Sequence, residues 1–145
     1  MTKERLLTLY VDDNPGDALL MQELLSESSL GFDLIHVESG ADALAMLRGE
    51  PPYERAEQPR LVLLDINMPD MNGHEVLREI KNDPALRRIP VMMFSSSERD
   101  QDVLDSYDGY ANSYVVKPHT WQEYGEVLRS IEDFWTRTAK VPPRS

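Results

Sequence analysis

The chain has no cysteine among its 145 residues, which excludes disulfides, thiol nucleophiles and thiolate metal sites. No apolar run approaches the ~20 residues that a membrane-crossing helix needs. The opening MTKERLLTLYVDD has only a short apolar stretch that ends in carboxylates, unlike a secretory signal. Basic residues are also scarce: 15 Lys and Arg stand against 26 Asp and Glu, a net charge of −11. Nucleic-acid backbones and anionic membranes attract Lys and Arg clusters, so neither is an expected partner. There is no internal repeat and no low-complexity run. These absences fit a cytoplasmic protein of one domain, with its core over residues 5–130 and a C-terminal helix and tail over 131–145.

What the sequence does contain is an alternation of short apolar stretches with helical patterns. Leu6–Val11 reads as a strand that stops at Asp12-Asp13-Asn14-Pro15, and Pro15 suits the first turn of a helix. Ala18, Met21, Leu24, Leu25 and Ser28 continue at helical spacing, with Gly31 as the stop. Asp33–Val37 is a second strand, and a helix with Ala41, Leu44, Ala45 and Leu47 as its buried side follows, ending near Gly49. The proline-bearing stretch Glu50–Pro59 reads as an ordered surface loop. Leu61–Leu64 is wholly apolar, the mark of a parallel strand covered on both faces. Turn residues from Met68 to Gly73 lead into a helix using Val76, Leu77 and Ile80. Pro90–Phe94 is a fourth strand, and its helix uses Val103, Leu104 and Tyr107. Tyr114–Val116 is a fifth strand, and a last helix runs from about Thr120 to Thr138. Five strand–helix units predict a doubly wound α/β sandwich with a parallel sheet. In such sheets ligands bind beyond the carboxyl ends of the strands.

The polar residues follow that rule. Asp12 and Asp13 end strand one, Asp65 strand three, Ser95 strand four and Lys117 strand five. Two carboxylates ~4 Å apart repel by about 4 kcal/mol at an effective dielectric of ~20, so three together call for a cation. The acids contribute −3 and Lys117 +1, and a divalent ion balances the remaining −2. An oxygen-only donor set points to Mg²⁺ or Ca²⁺, and a hydrated, phosphate-linked site favours Mg²⁺. Taken singly, an Asp after a strand is as well explained as a helix cap, and Lys-Pro as an ordinary loop. Five such groups in register with strand ends are not.

At these residues the sequence resembles the response-regulator receiver domains of two-component signalling. The resemblance rests on Val11-Asp-Asp13, Leu63-Leu-Asp-Ile-Asn-Met-Pro69 with Gly73, Phe94-Ser95-Ser96 and Tyr114-Val-Val-Lys-Pro118. It covers roughly residues 5–130 and implies a flavodoxin-like five-stranded parallel sheet in the order 2-1-3-4-5. It also implies that Asp65 accepts a phosphoryl group from a sensor histidine kinase. By the same resemblance Mg²⁺ is held by Asp13 and Asp65 directly, by Asp12 through water and by the backbone carbonyl of Asn67. Lys117 pairs with the phosphoryl oxygens, Ser95 is the switch hydroxyl, Tyr114 fills the space that Ser95 vacates, and Gly73 and Pro118 are structural. The Lys117–Pro118 bond is expected to be cis. Departures are His119, read as an exposed loop histidine, Tyr110, where the family often has glycine, and Ser97, which flanks the phosphoryl position. His36 and His74 read as ordinary surface or half-buried residues.

A receiver needs only about 120 residues, which leaves no room for an output domain and implies a stand-alone phosphoacceptor signalling protein rather than an enzyme. Trp121, Tyr124, Val127, Leu128, Ile131, Phe134 and Trp135 form one helical stripe about 140° wide. Its far end, Ile131, Phe134 and Trp135, is expected at a homodimer interface, since exposed apolar patches mark interfaces. The Glu50–Pro59 loop, the Tyr110 region and the Ile131–Trp135 tail are similar to small regulators of bacterial phytochrome kinases. Two roles stay open on sequence: a switch with a downstream partner, or a phosphorelay intermediate or phosphate sink with no effector. A flavin carrier on the same fold is excluded, because Asp12 and Asp13 would repel the flavin phosphate. A phosphatase usually wants a second acid two residues after the nucleophile, and Asn67 stands there.

Overall fold

Alternating side chains decide how the sheet is covered. In the computed structural model, which describes residues 5–26 and 32–143, β1 (Leu6–Val11) sends Leu6 and Tyr10 to one face and Leu9 and Val11 to the other. β3 (Leu61–Leu64) and β4 (Val91–Ser95) are buried throughout, as strands packed between two helical layers must be. With β2 (Phe32–Val37) and β5 (Ser113–Val116) they form a five-stranded sheet in the order β2-β1-β3-β4-β5, with every pairing parallel. This is the expected flavodoxin-like receiver order.

One face carries α1 (Pro15–Ser26) and α5 (Trp121–Asp133) over Tyr10, Leu61, Leu63, Met92 and Phe94. Tyr10, Phe94 and Tyr124 stack edge to face through this layer, at centroid separations of 6.1 and 6.0 Å. The other face carries α2 (Gly40–Arg48) and α3 (Gly73–Asn82) over Leu9, Val11, Val62, Leu64 and Met93. Ser28 and Gly31, expected at the end of α1, lie outside the described residues.

Two helices depart from expectation in instructive ways. α2 starts at Gly40, capped by the Ser39 side chain, so its buried face is Ala43, Leu44, Met46 and Leu47. Ala41 is exposed and Ala45 half-buried. The shift arises because Gly40 itself packs inward, where a Cβ would lie 2.6 Å from Val76. In α4 (Asp100–Asp108), Leu104 and Tyr107 are 57% and 49% exposed, and the only buried residue is Ser106. The apolar pair faces solvent because Ser106 takes the inward position, with its hydroxyl on the Asp102 carbonyl. Tyr110, just beyond α4, adopts the left-handed conformation that glycine would take freely, with φ of 72°.

The last helix is not uniform. α5 ends at Asp133 and continues as a π-helical turn over Phe134–Thr138. After it the chain passes beneath the sheet: Val141 is buried and Arg60 donates to the Pro142 carbonyl.

Gly73 opens α3 within touching distance of strand β3. A Cβ there would meet the Asp65 carbonyl oxygen at 2.2 Å and the Ile66 Cα at 2.8 Å, backbone atoms that have no rotamer to change. Gly125, in mid-α5, has only Leu24 at an ordinary 3.9 Å. Gly73→Ala is therefore expected to cost about 1–3 kcal/mol of unfolding free energy. Gly125→Ala is expected to be neutral or to add up to about 1 kcal/mol. Urea denaturation of both variants checks the pair.

Candidate functional site

The carboxyl ends of β1, β3, β4 and β5 meet at one edge of the sheet, and backbone bonds between neighbours fix their heights. Asp65 N–H donates to Val11 O at 3.0 Å, Asp12 N–H to Val37 O at 3.1 Å and Lys117 N–H to Ser95 O at 2.8 Å. Asp12, Asp65, Ser95 and Lys117 are all buried, whereas Asp13 is exposed. Carboxylate oxygens of Asp12, Asp13 and Asp65 lie within 4.8 Å of one another.

Lys117 organises the cluster. Its ammonium group donates at 2.8 Å to Asp12, 2.8 Å to Asp17 and 3.1 Å to Asp65, so each of its three N–H bonds has a carboxylate acceptor. Burial alone would pull the Lys117 ammonium down. The hydrogen bonds to Asp12 and Asp17 and the attraction of Asp65 more than offset that, and its pKa stands above the ordinary value. Asp12 is held from three sides: one oxygen accepts from Asn14 N–H at 2.9 Å, the other from Lys117 and from the Tyr10 hydroxyl. Burial, and then the charge of Asp12, push the Tyr10 hydroxyl well up, so it remains a proton donor. Asp65 accepts from Ile66 N–H at 2.7 Å and from Lys117. Its carboxyl is held above the ordinary carboxylate value, chiefly by burial; Lys117 lowers it and Asp12 raises it again.

Ser95 and Tyr114 meet at the start of the β4–α4 loop. Ser97 N–H donates to Ser95 Oγ at 3.2 Å, and the Tyr114 hydroxyl donates to the Ser97 carbonyl at 2.8 Å. Tyr114 is thus half-buried and already turned toward this loop. The Asn67 side of the site lies on an exposed turn after β3, and no described residue donates to its carbonyl. His36 is half-buried against the Asp12 carbonyl, His74 lies between α3 and α4, and His119 is exposed.

Lys117–Pro118 is trans, contrary to expectation, and the one cis bond among the described residues is Pro51–Pro52. Trans is the ordinary X–Pro preference, by about 0.5–1 kcal/mol, and from it Lys117 reaches all three carboxylates. The three C-terminal apolar residues divide. Ile131 is a core residue, 4% exposed; Trp135 is half-buried with its indole N–H on Met92 Sδ; Phe134 is 48% exposed. They border a shallow apolar groove with Val115 and Val127.

Sequence reasoning missed Asp17 and Tyr10. Asn14 caps α1, accepting from Gly16 and Asp17 N–H, and this register turns the first-turn acid Asp17 back toward Lys117. Its signal was the Asn-Pro start itself, which fixes which residue of the first turn lies nearest the strand ends. Tyr10 was legible as the residue two before Asp12, hence on the same side of β1.

Residues 8–129 match the family model described as the response regulator receiver domain. This chain is a receiver domain. Among its relatives, the response regulator Rcp1 of Synechocystis sp. is 38% identical over 134 residues, which is 92% of this chain and 91% of Rcp1. The crystal structure of the phosphorylated cyanobacterial phytochrome response regulator RcpA superposes with a TM-score of 0.89 at 40% identity, covering 96% of this chain and 99% of that one. The Mn²⁺-bound form of Rcp1 gives a TM-score of 0.86 at 37% identity, over 94% and 99%. No helix among the described residues of this receiver is long and apolar enough to cross a membrane.

Because burial raises the Asp65 pKa in the fold, ionising it costs the folded chain more than the unfolded one, so its contribution to stability is full below the unfolded value of about 4 and declines as pH rises through the folded value. In chelator-treated protein, Asp65→Asn is expected to be more stable than wild type at neutral pH. That advantage shrinks toward about pH 4, a trend read from urea midpoints across the range.

Proposed function

We propose that this receiver is a response regulator that accepts a phosphoryl group on Asp65 from a sensor histidine kinase, with Mg²⁺, and changes conformation for a downstream partner. The observation that carries the reading is the buried Lys117 ammonium shared by Asp12, Asp17 and Asp65 at the carboxyl edge of the sheet. The donor set fits the metal: three carboxylates within one ion's reach, no sulfur or imidazole among them, and a free backbone carbonyl at Asn67. Mg²⁺ held by Asp13, Asp65 and the Asn67 carbonyl, with Asp12 through water, would neutralise the charge spread over the transferring group.

The chain's own groups do the rest. One Asp65 oxygen is fixed by Ile66 N–H, and the other, which now accepts from Lys117, attacks phosphorus. The bond from phosphorus to the kinase histidine breaks, and its electron pair stays on the imidazole. Lys117 exchanges a carboxylate partner for a phosphoryl oxygen, an exchange of one charge-assisted hydrogen bond for another. The Ser95 hydroxyl donates to the same group and Tyr114 moves with it. Gly73 brings the α3 N-terminus against Asp65 without side-chain bulk.

The similarity to RcpA and Rcp1 supports a phytochrome-type kinase as the donor. The groove bordered by the exposed Phe134 supports a second copy of this chain as the partner at α5.

Three measurements test the reading. Incubation with ATP and purified phytochrome-type kinases is expected to phosphorylate wild type and leave Asp65→Asn unlabelled; label on Asp65→Asn would overturn the assignment. Mg²⁺ at ~100 times its dissociation constant is expected to raise wild-type stability by about 2.7 kcal/mol, with a smaller gain in Asp65→Asn. Sedimentation velocity is expected to show wild type dimerising and Phe134→Asp monomeric, and a wild type that stays monomeric at every concentration would remove the second copy.

A further inference from the structure

α4 is held by unusually little. Its N-cap residue, Arg99, makes no side-chain capping bond, Ser106 is its only buried residue, and Leu104 and Tyr107 face solvent. Helices with few buried contacts open locally at low cost. What fastens this one is a short run of side-chain bonds at its first turn. Ser97 Oγ accepts at 3.3 Å from the N–H of Arg99, the N-cap residue. The same hydroxyl donates to the Asp102 carboxylate at 2.5 Å. The Asp102 carbonyl in turn accepts from Ser106 Oγ at 2.7 Å, and His74 Nε2 lies 3.2 Å from that carbonyl and 3.3 Å from Ser106 Oγ.

Both ends of this run touch the phosphorylation site. Ser97 gives its N–H to Ser95 Oγ and its carbonyl to the Tyr114 hydroxyl. His74 follows Gly73, whose backbone abuts the Asp65 carbonyl. Ser97 therefore spends its amide on Ser95, its carbonyl on Tyr114 and its hydroxyl on Asp102.

We propose that Asp102 is the positioning residue that fastens the Ser95–Tyr114 switch to α4, acting through Ser97. The proposal rests on the reading of Ser95 and Tyr114 as the switch. A Ser95 hydroxyl drawn to a phosphoryl group on Asp65 pulls away from Ser97 N–H. Ser97 cannot follow without lengthening its charge-assisted bond to Asp102, and so the displacement is delivered to the first turn of α4. Asp102 touches none of the reacting atoms. Its carboxylate sets how much of the Ser95 movement reaches the helix, while Ser106 within α4 and His74 from α3 hold the Asp102 carbonyl.

The test is amide hydrogen exchange over residues 100–108 of the full chain. In unphosphorylated protein, Asp102→Leu fills the space but offers no acceptor, and is expected to speed α4 exchange by roughly tenfold or more. Asp102→Asn keeps an oxygen for Ser97 and is expected to restore most of the protection, which a purely space-filling role would not do. Unchanged exchange in α1 and α2 verifies that the fold survives. Ser97→Ala removes the same bond from its other end, so the double variant is expected to exchange no faster than Asp102→Leu alone. Acetyl phosphate with Mg²⁺ is then expected to shift α4 exchange in wild type but not in Asp102→Leu. Wild type that gains no phosphoryl group on Asp65 counts against the reading of the site itself. An α4 that exchanges within about twofold of wild type in Asp102→Leu, or that still responds in that variant once phosphorylated, overturns the latch.

Discussion

One ammonium group shared by three carboxylates is the constraint on which the rest of this molecule depends. Lys117 is buried, and burial by itself would lower its pKa; the acids around it more than offset that. Those acids are tolerable together only because Lys117 lies among them. Each partner is contributed by a different stretch of chain: Asp12 from the end of β1, Asp17 from α1, Asp65 from the end of β3. The pairing therefore closes the sheet edge as much as it prepares the site. Removing Lys117 would leave the buried carboxylates of Asp12 and Asp65 with no cation beside them, which is far costlier than losing a surface ion pair.

Much of this was legible because strand ends are punctuated in sequence. Wholly apolar runs such as Leu61–Leu64 end abruptly in charge, and the parallel-sheet rule converts that punctuation into a common edge. The strand order came from a family resemblance, since five apolar runs do not state which neighbours which. The helices were read less well for physical reasons. Leu104 and Tyr107 have the right spacing for a buried face, yet a serine that satisfies its own hydroxyl on a backbone carbonyl took the inward position. Gly40 has no side chain to count, and close packing of its backbone rotated the buried face of α2 away from Ala41.

Asp17 illustrates what single-residue reading overlooks. An acid in the first turn of a helix has an adequate local explanation in the helix dipole, and nothing nearby in sequence asks for more. Its second role appears only when a lysine 100 residues away is brought across the sheet edge. The same holds for Asp102 and Ser97, whose mutual bond reads as ordinary polar loop chemistry until the positions of Ser95 and Tyr114 are known.

The path of the chain after α5 carries a practical consequence. Val141 is buried and Pro142 is held by Arg60, in a crevice shared with Pro84, Ile89 and Pro90 at the amino ends of β3 and β4. That pole of the sheet is opposite the one where the acids gather. A fluorophore placed on the side chain at position 143 would accordingly sit on the far side of the molecule, away from the mouth above Asp65.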